Sequence, residues 1–576
     1  MAKRNPYLVK KAMSHFLVAT ILTMAAGQIG VIIDGIIVSH LVGPDALSAI
    51  NLYTPISLLV TSFSTFLGIG ATILAARAIG ERNKTKAEGF LSTAFASLVV
   101  VGALLGIAAY AFQDSVVAAI CKEERLAVPF RSYMLVMVGG CMITMLNSLF
   151  NEMVCIDGHP QVATKSVAVS AVCNIVLAYL FVGVFHWGIA GSAWASLVCS
   201  VLNMAIISRY LFGKRCSFRL RPLKAFSGAS LRLNIQQGTP LIIGNLILTA
   251  LFFFLNNIIQ DKQGADGMFA MSICMNLLTI GMLISGSVGS TCLSVGGFLY
   301  GQRDFDGLSM LIGRCVRFML VVLVVLTAVF EVAPGLISGL FGADTPELAE
   351  YSNHCLRIFA WMLPFILMVL LLANIYQMLG HLALAPVVIA LFPAVLLPSL
   401  LLCGMNDGSL IWYAFPVTGI IVFAVTLFIS EMIRRKGKVP ASRLTLVPKE
   451  SSSTRFSASI TPDLPSMNAI VGEAFDFMKM ICADAETASA MRLCLEEMLL
   501  NIIEHGNVGK DNYIDVAIYE DGDAVTLAIK DDGRAFNPLL VDENKLGVGL
   551  TLVGGLCRGK DYKNMYGQNM TFLTWK

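Results

Sequence analysis

The sequence predicts an all-α polytopic membrane protein followed by a soluble α/β domain. Of its 576 residues, 56% are apolar and 14% are charged, whereas soluble globular chains carry about 25% charged residues. Charges are sparse up to Ser430 and crowded from Glu431 to the C-terminus, which indicates a domain boundary near that point. The net charge is only +3, and no basic run alternates with aromatic residues. We therefore do not expect nucleic acid as a partner.

Twelve stretches are long and apolar enough to cross a bilayer, which requires about 20 residues. They are residues 14–38, 50–76, 90–112, 132–154, 162–184, 188–212, 239–260, 268–299, 315–338, 355–379, 382–404 and 409–433.

An internal repeat supports the even number of spans. A shift of 221 positions aligns turn-forming and loop residues of the two halves: Gly43 with Gly264, Asp45 with Asp266, Ala49 with Ala270, Ser64 with Ser285, Gly68 with Gly289, Gly80 with Gly301 and Arg82 with Arg303. After one residue of slippage, Gly158-His159 align with Gly380-His381. The repeat predicts two parallel six-helix halves related by an axis along the membrane normal, with a binding cavity between them.

The distribution of Lys and Arg predicts the orientation. These residues are concentrated in the N-terminal tail and in the segments after spans 2, 6 and 12, and cytoplasmic loops carry such an excess. We expect a multi-pass protein of the cell (inner) membrane with both termini in the cytoplasm. The expected divisions are an N-terminal lobe (1–218), a C-terminal lobe (219–433), a linker (434–465) and a soluble domain (466–576).

The soluble domain should contain helices over 467–482 and 485–505 and strands over 513–519, 524–530 and 569–575. In the second helix, Glu497, Asn501 and His505 recur every four residues and therefore share one face. An amide oxygen is a suitable Mg²⁺ ligand beside phosphate oxygens. A carboxylate one turn earlier can accept a proton from an attacking hydroxyl.

Two further clusters follow in the soluble domain. Asp531-Asp532-Gly533 ends a strand in a turn, where a carboxylate can hold an exocyclic amine and a glycine lets a ring approach closely. Gly547 and Gly549 begin a helix after a flexible turn, and free backbone N–H groups at such a position favour phosphate. Each cluster alone is common on solvated helix faces and in ordinary turns, so the signal is in their order and spacing.

In that order, the three clusters resemble the N, G1 and G2 boxes of the GHKL (Bergerat-fold) ATPase and kinase superfamily. The resemblance implies ATP and Mg²⁺ as cofactors. By it, Glu497 would be the base, Asn501 the Mg²⁺ ligand and Asp531 the adenine partner. Gly533, Gly547 and Gly549 would shape the pocket.

The short stretch between Pro538 and Gly547 and the closing Gly567-Gln568-Asn569 look most like the anti-sigma-factor serine kinases. His505 is the only histidine of the domain, so a sensor histidine kinase is not expected. No GxxxxGK[ST] motif occurs, which argues against an ABC-type pump. The domain is therefore interpreted as regulatory, with a possible serine/threonine kinase activity on a STAS-type or other phosphoacceptor protein.

Within the predicted spans, Asp34 is the one ionisable residue deep in the first. A charged side chain at mid-membrane costs about 2.5–3.5 kcal/mol, so a functional role is the default interpretation. A polar contact near the outer end of the helix is the alternative. Asn174 in span 5 fits either a site or an interhelical hydrogen bond. For Asn374 and Gln377 in span 10, ordinary interhelical packing is favoured over a cavity lining.

The sequence around these residues resembles the MATE (multidrug and toxic compound extrusion) transporters, best their DinF-like branch. The resemblance covers about residues 10–435 and rests on these segments: Asp34-Gly35, Leu41–Leu47, Gly68–Ala71, Asp157–Pro160, Asn174–Leu177 and Gly188–Ser192. It implies export of small organic cations or drugs in exchange for H⁺ or Na⁺, with Asp34 and Asn174 in the cation site.

This branch also uses an Asp one turn after the Asn, where this chain has Ala178. Two alternatives stay open. One is a flippase of the same superfamily for a lipid-linked or polyanionic substrate. The other is a membrane receptor that controls a serine/threonine kinase.

Overall fold

The computed structural model describes most of the chain. It covers residues 4–42, 50, 52–120, 124–213, 216–220, 226–340, 345–381, 383–404, 408–436, 442–448, 455–482, 484–506, 509, 512–521, 524–535, 537 and 556–575. The chain folds into two compact units. The larger, membrane unit comprises Leu17–Arg303 and Ile312–Val447, and the smaller unit comprises Met1–Phe16, Asp304–Leu311 and Pro448–Lys576.

Helices make up the chain as far as Lys436. They are α1 (Tyr7–Leu41), α2 (Thr54–Ser64), α3 (Gly70–Gly80), α4 (Lys84–Ala111), α5 (Gln113–Ile120), α6 (Glu124–Gly139), α7 (Cys141–Ile156), α8 (Pro160–Ala178), α9 (Gly188–Leu211), α10 (Gly228–Thr291), α11 (Gly297–Gly301), α12 (Phe305–Val332), α13 (Pro334–Leu340), α14 (Pro346–Ala360), α15 (Leu363–Met378), α16 (Leu384–Gly404) and α17 (Ala414–Lys436). Three π-helical turns, Thr65–Ile69, Tyr179–Val184 and Cys292–Gly296, interrupt or extend them, and a 3₁₀ turn at Gly408–Tyr413 precedes α17.

These helices confirm the predicted polytopic all-α membrane architecture. Within the described residues, nine helical segments are long and apolar enough to span a membrane, and two bent helix pairs raise the number to eleven. The bent pairs are Ala127–Gly139 with Cys141–Ile156, at 49°, and Pro346–Ala360 with Leu363–Met378, at 41°.

The seventh predicted span, 239–260, is not separated from the eighth by a loop. Both lie in the single helix α10, and many side chains around 240–265 are outside the described part. Gly267 lies at the predicted break. A Cβ there would lie 2.1 Å from the Cβ of Gln263, so the tight geometry is possible only without a side chain.

The repeat predicted from the sequence is present in the backbone. Arg82 and Arg303, 221 positions apart, both have left-handed φ angles, of 59° and 54°. Gly158 and Gly380, 222 positions apart, have φ angles of 83° and 91°. Such conformations are rare for non-glycine residues, so their recurrence at matched positions shows that the two halves turn in the same way.

Matched hydrogen bonds also relate the halves. The Ser64 hydroxyl donates to the Met145 carbonyl at 3.4 Å, and the Ser285 hydroxyl donates to the Leu367 carbonyl at 3.2 Å. The donors are 221 positions apart and the acceptors 222, which reproduces the slippage in the sequence repeat. The bent pairs ending in α7 and α15 occupy equivalent places in the two halves.

The halves approach each other closely where α3 meets α11. A Cβ on Gly80 would lie 2.3 Å from the Phe298 carbonyl oxygen, and a Cβ on Gly301 would lie 2.2 Å from the Arg77 carbonyl oxygen. Small residues allow this distance between helix backbones in a membrane. The two repeat-related glycines therefore allow the halves to pack tightly at this point.

The soluble domain is a five-stranded antiparallel sheet with two helices. Its elements are β1 (Arg455–Ile460), α18 (Leu464–Ile481), α19 (Ala485–His505), β2 (Ile514–Asp521), β3 (Ala524–Asp531), β4 (Gly559–Met565) and β5 (Gln568–Trp575). The strand order is β1-β2-β3-β5-β4. Apolar residues of both helices and of β1, β2, β3 and β5 form one buried core. The predicted helices and the three predicted strands are confirmed.

Two strands were not predicted. Strand β1 lies in the predicted linker, 434–465, although Phe456, Ala458 and Ile460 alternate and are buried, which is the pattern of a strand with one buried face. Strand β4 is an edge strand of largely polar sequence (GKDYKNM), and polar, charged edge strands give little periodic signal.

We predict that Gly301→Ala destabilises the membrane unit. The added methyl would collide with the Arg77 carbonyl, and overpacking of this kind costs about 1–3 kcal/mol. Gly313→Ala in α12 is the matched control, because a Cβ there meets no atom within 4 Å and alanine favours a helix. Thermal unfolding in detergent should show a lower Tm for Gly301→Ala only. Equal Tm values for the two variants would contradict the role of this contact.

Candidate nucleotide site and membrane cavity

The predicted nucleotide face lies on α19. The helix begins after Asp484, whose carboxylate accepts a hydrogen bond from the Thr487 backbone N–H. Asn501 lines a pocket together with Met498, Ile502, Gly506, Asp531, Arg534, Tyr562, Asn569 and Thr571. Helix α19 and the end of β3 thus bring two of the predicted residues, Asn501 and Asp531, to one site.

The other members of the predicted face are placed differently. Glu497 is half-buried one turn before Asn501 and is not among the described residues that line the pocket. His505 is exposed at the end of the helix, 3.9 Å from Glu504. Gly547 and Gly549 lie outside the described residues.

Asp531 ends β3 and is held by the turn that follows it. Its Oδ1 accepts hydrogen bonds from the Gly533 backbone N–H at 2.8 Å and from Asn569 Nδ2 at 2.9 Å. Burial raises the pKa of the Asp531 carboxyl above its usual value, and these hydrogen bonds lower it in part. A buried carboxylate with a fixed orientation can accept a hydrogen bond from an exocyclic amine.

Gly533 joins this turn to the end of α19. A Cβ at position 533 would lie 2.2 Å from the Gly506 carbonyl oxygen, and the same oxygen accepts a hydrogen bond from the Arg534 N–H at 2.8 Å. The sequence prediction that Gly533 permits a close approach is therefore met by the protein's own backbone. The contact fixes the turn against the helix that carries Asn501.

Asn569 organises the site, and sequence reasoning gave it no individual role. Its Nδ2 donates to Asp531 Oδ1 and, at 3.0 Å, to the Arg534 carbonyl. Its Oδ1 accepts from the Tyr562 hydroxyl at 2.7 Å and from Asn564 Nδ2 at 2.8 Å. Asn569 faces Asp531 directly across the β3–β5 ladder, a pairing that only the strand register reveals.

In the membrane unit, the structure describes the side chain of only one of the two predicted cation-site residues. Asp34 lies in α1, and its side chain is outside the described part. Asn174 in α8 is half-buried, and its Nδ2 donates to the Ser196 hydroxyl on α9 at 3.3 Å. Asn174 thus ties two helices together, which is the interhelical role considered from the sequence. Ala178, one turn later, is fully buried.

A cavity of about 160 Å³ lies between the two halves. The first half contributes Met24, Ile69, Thr72, Ile73, Glu152 and Ile156, and the second contributes Gly286, Ser290, Leu293, Ser294 and Asn374. The cavity expected from the repeat is therefore present. Among the described residues, none that lines it is Lys, Arg or His.

Sequence reasoning missed Glu152 and misjudged Asn374. Glu152 lies in the predicted fourth span, 132–154, where a single acidic residue among apolar ones was an available signal. Asn374 lines the cavity although interhelical packing was the favoured interpretation. Gln377 does pack between helices, because its Nε2 donates to the Gln237 carbonyl at 2.9 Å and Gln237 Nε2 donates back at 3.2 Å.

Comparison with known proteins finds a matching family for the helical part of the chain and another for its C-terminal domain. The sequence profile of the family described as MatE matches residues 19–180 and 240–401, which are stretches of equal length offset by 221 positions. This offset is the shift at which the sequence repeats. Residues 460–575 match the family described as histidine kinase-like ATPase domain.

Among curated relatives, the probable multidrug resistance protein YoeA of Bacillus subtilis is 22% identical over 325 residues, covering 54% of this chain and 68% of YoeA. The multidrug export protein MepA of Staphylococcus aureus is 23% identical over 199 residues, covering 34% of this chain and 43% of MepA. The alignment thus spans less than half of MepA.

Solved structures show the same fold. An outward-facing multidrug resistance MATE family transporter of the MOP superfamily superposes with a TM-score of 0.68 at 20% identity, covering 74% of this chain and 96% of that chain. A MOP superfamily transporter from Pyrococcus furiosus superposes with a TM-score of 0.68 at 19% identity, covering 76% and 100%. With its twofold profile match, its repeat and its multi-pass helical fold, the chain belongs to the MatE family and carries a histidine kinase-like ATPase domain at its C-terminal end.

Proposed function

We propose that the protein is a secondary active antiporter that exports small organic cations or drugs, coupled to H⁺ or Na⁺, with a cytoplasmic ATP-binding regulatory domain. The observation that carries this proposal is the cavity between the halves, which contains Glu152 and, among its described lining residues, no basic side chain. An acidic cavity in a low-dielectric setting attracts cations and repels anions. The same observation argues against the flippase alternative with a polyanionic substrate.

For coupling, we assign Asp34 as the group that binds the proton or cation and Asn174 as its neighbour in the first lobe. Ala178 is buried one turn after Asn174, so no second carboxylate is available at that position. A sodium ion prefers several oxygen ligands, whereas a proton needs one carboxylate. Protons should therefore drive transport better than sodium.

For the soluble domain, we assign ATP with Mg²⁺ as cofactors. Asn501 would hold the Mg²⁺, Asp531 would bind the adenine amine, and Gly533, Gly547 and Gly549 would shape the pocket. Support comes from the shared pocket of Asn501 and Asp531 and from the family match. Glu497 would be the base in transfer to a serine of a partner protein, as in the serine kinases that the domain resembles.

We also assign both termini to the cytoplasm and the membrane to the cell (inner) membrane. The lobes would comprise residues 1–218 and 219–433, and the ATP-binding domain, expected over 466–576, would also include strand β1 at Arg455–Ile460 of the expected linker 434–465. This orientation gives the soluble domain access to cellular ATP.

Asp34→Asn should abolish gradient-driven transport because it removes the titratable charge and keeps the shape. Uptake of labelled tetraethylammonium into proteoliposomes under an imposed proton or sodium gradient measures the effect. The wild type should transport better with the proton gradient, and the variant should insert normally and not transport. Sodium-dependent uptake that survives in Asp34→Asn would contradict both the coupling role and the choice of ion.

The nucleotide-site variants should fall into two classes. Asn501→Ala loses the Mg²⁺ ligand and Asp531→Asn loses the charged acceptor of the adenine amine, so both should weaken ATP binding measured by calorimetry. Glu497→Gln should bind ATP normally, but its transfer of labelled phosphate to protein serine should fall by about 10²–10⁴-fold, the usual contribution of a positioned base.

Glu496→Gln is the matched control. Glu496 pairs with Arg492 at 2.8 Å and is off the nucleotide face, so this variant should keep both binding and transfer. Full ATP binding by Asn501→Ala would remove Asn501 from the site, and no ATP binding by the wild type would show that the domain is a scaffold only.

A further inference from the structure

Glu152 and Asn374 are the same position of the two repeats. They are 222 residues apart, which is the offset that relates Gly158 to Gly380 and Met145 to Leu367. Glu152 lies on α7 and Asn374 on α15, the second members of the two bent pairs. Both side chains line the one cavity between the halves. The repeat thus brings a carboxylate and an amide to the same cavity from opposite halves.

Glu152 has no counter-charge among the described residues that line the cavity, since none of them is Lys, Arg or His. An uncompensated carboxylate in a membrane-spanning helix is expensive, and such a group is retained where it binds a cation or a proton. The described lining therefore leaves its charge to be balanced by a cation or proton that enters the cavity.

Asn374 offers an acceptor to the same ligand. Its Nδ2 donates to the Leu370 carbonyl at 3.1 Å, which leaves the amide Oδ1 to accept from, or lie against, a positive group. Gly289 makes room for this side chain, because a Cβ at position 289 would lie 2.6 Å from Asn374 Nδ2. The amide orientation therefore depends on a glycine that the sequence repeat also contains.

We propose that Glu152 and Asn374 form the site that recognises the positive group of the exported organic cation. This proposal rests on the proposed export function and assigns to Glu152 the substrate and to Asp34 the coupling ion. A single carboxylate balances a single charge, so the preferred substrates are monocations. The cavity, about 160 Å³, is smaller than the pockets of about 300–1,000 Å³ that enclose drug-sized ligands. It fits a cationic head group.

Binding of labelled tetraethylammonium to the purified full-length protein tests the site. Glu152→Gln should weaken binding by about tenfold or more, because a charge-assisted contact is lost. Glu331→Gln is the matched control, since Glu331 is outside the cavity and accepts a hydrogen bond from Trp361 at 2.6 Å. It should bind normally. Asn374→Asp adds a second carboxylate and should shift preference toward the dication methyl viologen.

Four outcomes would overturn the proposal or the export function on which it rests. Wild-type affinity in Glu152→Gln with intact ATP binding would remove Glu152 from the site. Normal binding that loses only its pH dependence would make Glu152 a proton carrier instead. If the wild type neither binds nor transports any organic cation, the export function fails, whereas transport with an unaltered KM in Glu152→Gln sinks the site alone.

A second, independent observation concerns the smaller unit, which combines the soluble domain with Met1–Phe16 and Asp304–Leu311. At its centre, Asp304 is fully buried and receives hydrogen bonds from Arg4 (Nη2–Oδ2 2.9 Å) and Lys530 (3.4 Å). Arg455 lies 3.7 Å away. Burial raises the pKa of the Asp304 carboxyl, but these three cations hold it well below its usual range.

The cluster reaches the adenine-binding turn. Lys530 directly precedes Asp531, and burial lowers its pKa to about 8 despite the neighbouring Asp304. Asp532, the next residue of the turn, accepts hydrogen bonds from the Tyr7 hydroxyl at 2.8 Å and from Lys11 Nζ at 2.5 Å. Tyr7 and Lys11 are four residues apart and therefore share one face of α1.

We infer that Tyr7 and Lys11 are positioning residues for the nucleotide site. They hold Asp532, and through it the turn that carries Asp531. Because α1 continues to Leu41 and includes position 34, and α12 begins at Phe305 beside Asp304, displacement of these helices changes the support of the turn. By linkage, ATP binding must then bias the same helices. This inference rests on ATP binding at Asp531.

Calorimetry of ATP binding to the full-length protein tests this coupling. Lys11→Met should weaken ATP binding by about threefold or more, in the range of a partly exposed ion pair. Lys11→Arg, which keeps the positive charge, should bind ATP with wild-type affinity. Lys10→Met is the matched control, because Lys10 is exposed on the same segment. Unchanged affinity in Lys11→Met, or an equal loss in Lys10→Met, would overturn the inference. No ATP binding in the wild type would instead remove the nucleotide site itself.

Discussion

The close approach of the two halves at Gly80 and Gly301 is the constraint on which the membrane part of the fold depends. Each glycine faces a backbone carbonyl of the other half, and a single methyl would not fit. In lipid, helix association relies on such packing because no hydrophobic driving force acts between apolar helices. With the halves fixed there, the equivalent helices α7 and α15 present Glu152 and Asn374 to one cavity. Because the halves are repeats, their packing places an acidic side chain on one side of the cavity and a neutral amide on the other.

The two units differ in the chemistry of their candidate sites. The cavity presents a carboxylate with no basic residue among its described lining residues, which suits a cation that enters and leaves. The soluble domain has no phosphate-binding motif of the ABC type, and its pocket instead joins an amide on α19 to a buried carboxylate at the end of β3. This is why we propose that bound nucleotide regulates the protein and that an ion gradient supplies the energy for transport. Within the smaller unit, the charges around Asp304 join β1 and β3 to the segments that lead into α1 and α12.

Much of this could be predicted from the sequence, because the relevant signals are local. Long apolar stretches predicted a polytopic helical fold. The break expected between spans 7 and 8 is instead part of one continuous helix, which makes a close contact at Gly267. The resemblance of the three motifs to the GHKL boxes implied that Asn501 and Asp531 would share a site. What could not be predicted depends on contacts between distant residues. Asn569 acts through its register partner Asp531, and Asp304 acts through Arg4 and Lys530, more than 200 residues away on either side. Glu152 could have been predicted from the sequence, because an acidic residue in an apolar span is a local signal.

The central claim is that an ion gradient, and not ATP hydrolysis, drives the export of organic cations. Its most direct test is the accumulation of labelled tetraethylammonium in proteoliposomes that contain the full-length protein, with a gradient or ATP supplied separately. We expect accumulation under an imposed proton gradient without nucleotide, and none with ATP and Mg²⁺ in the absence of a gradient. Accumulation that requires ATP and persists without any gradient would contradict the account.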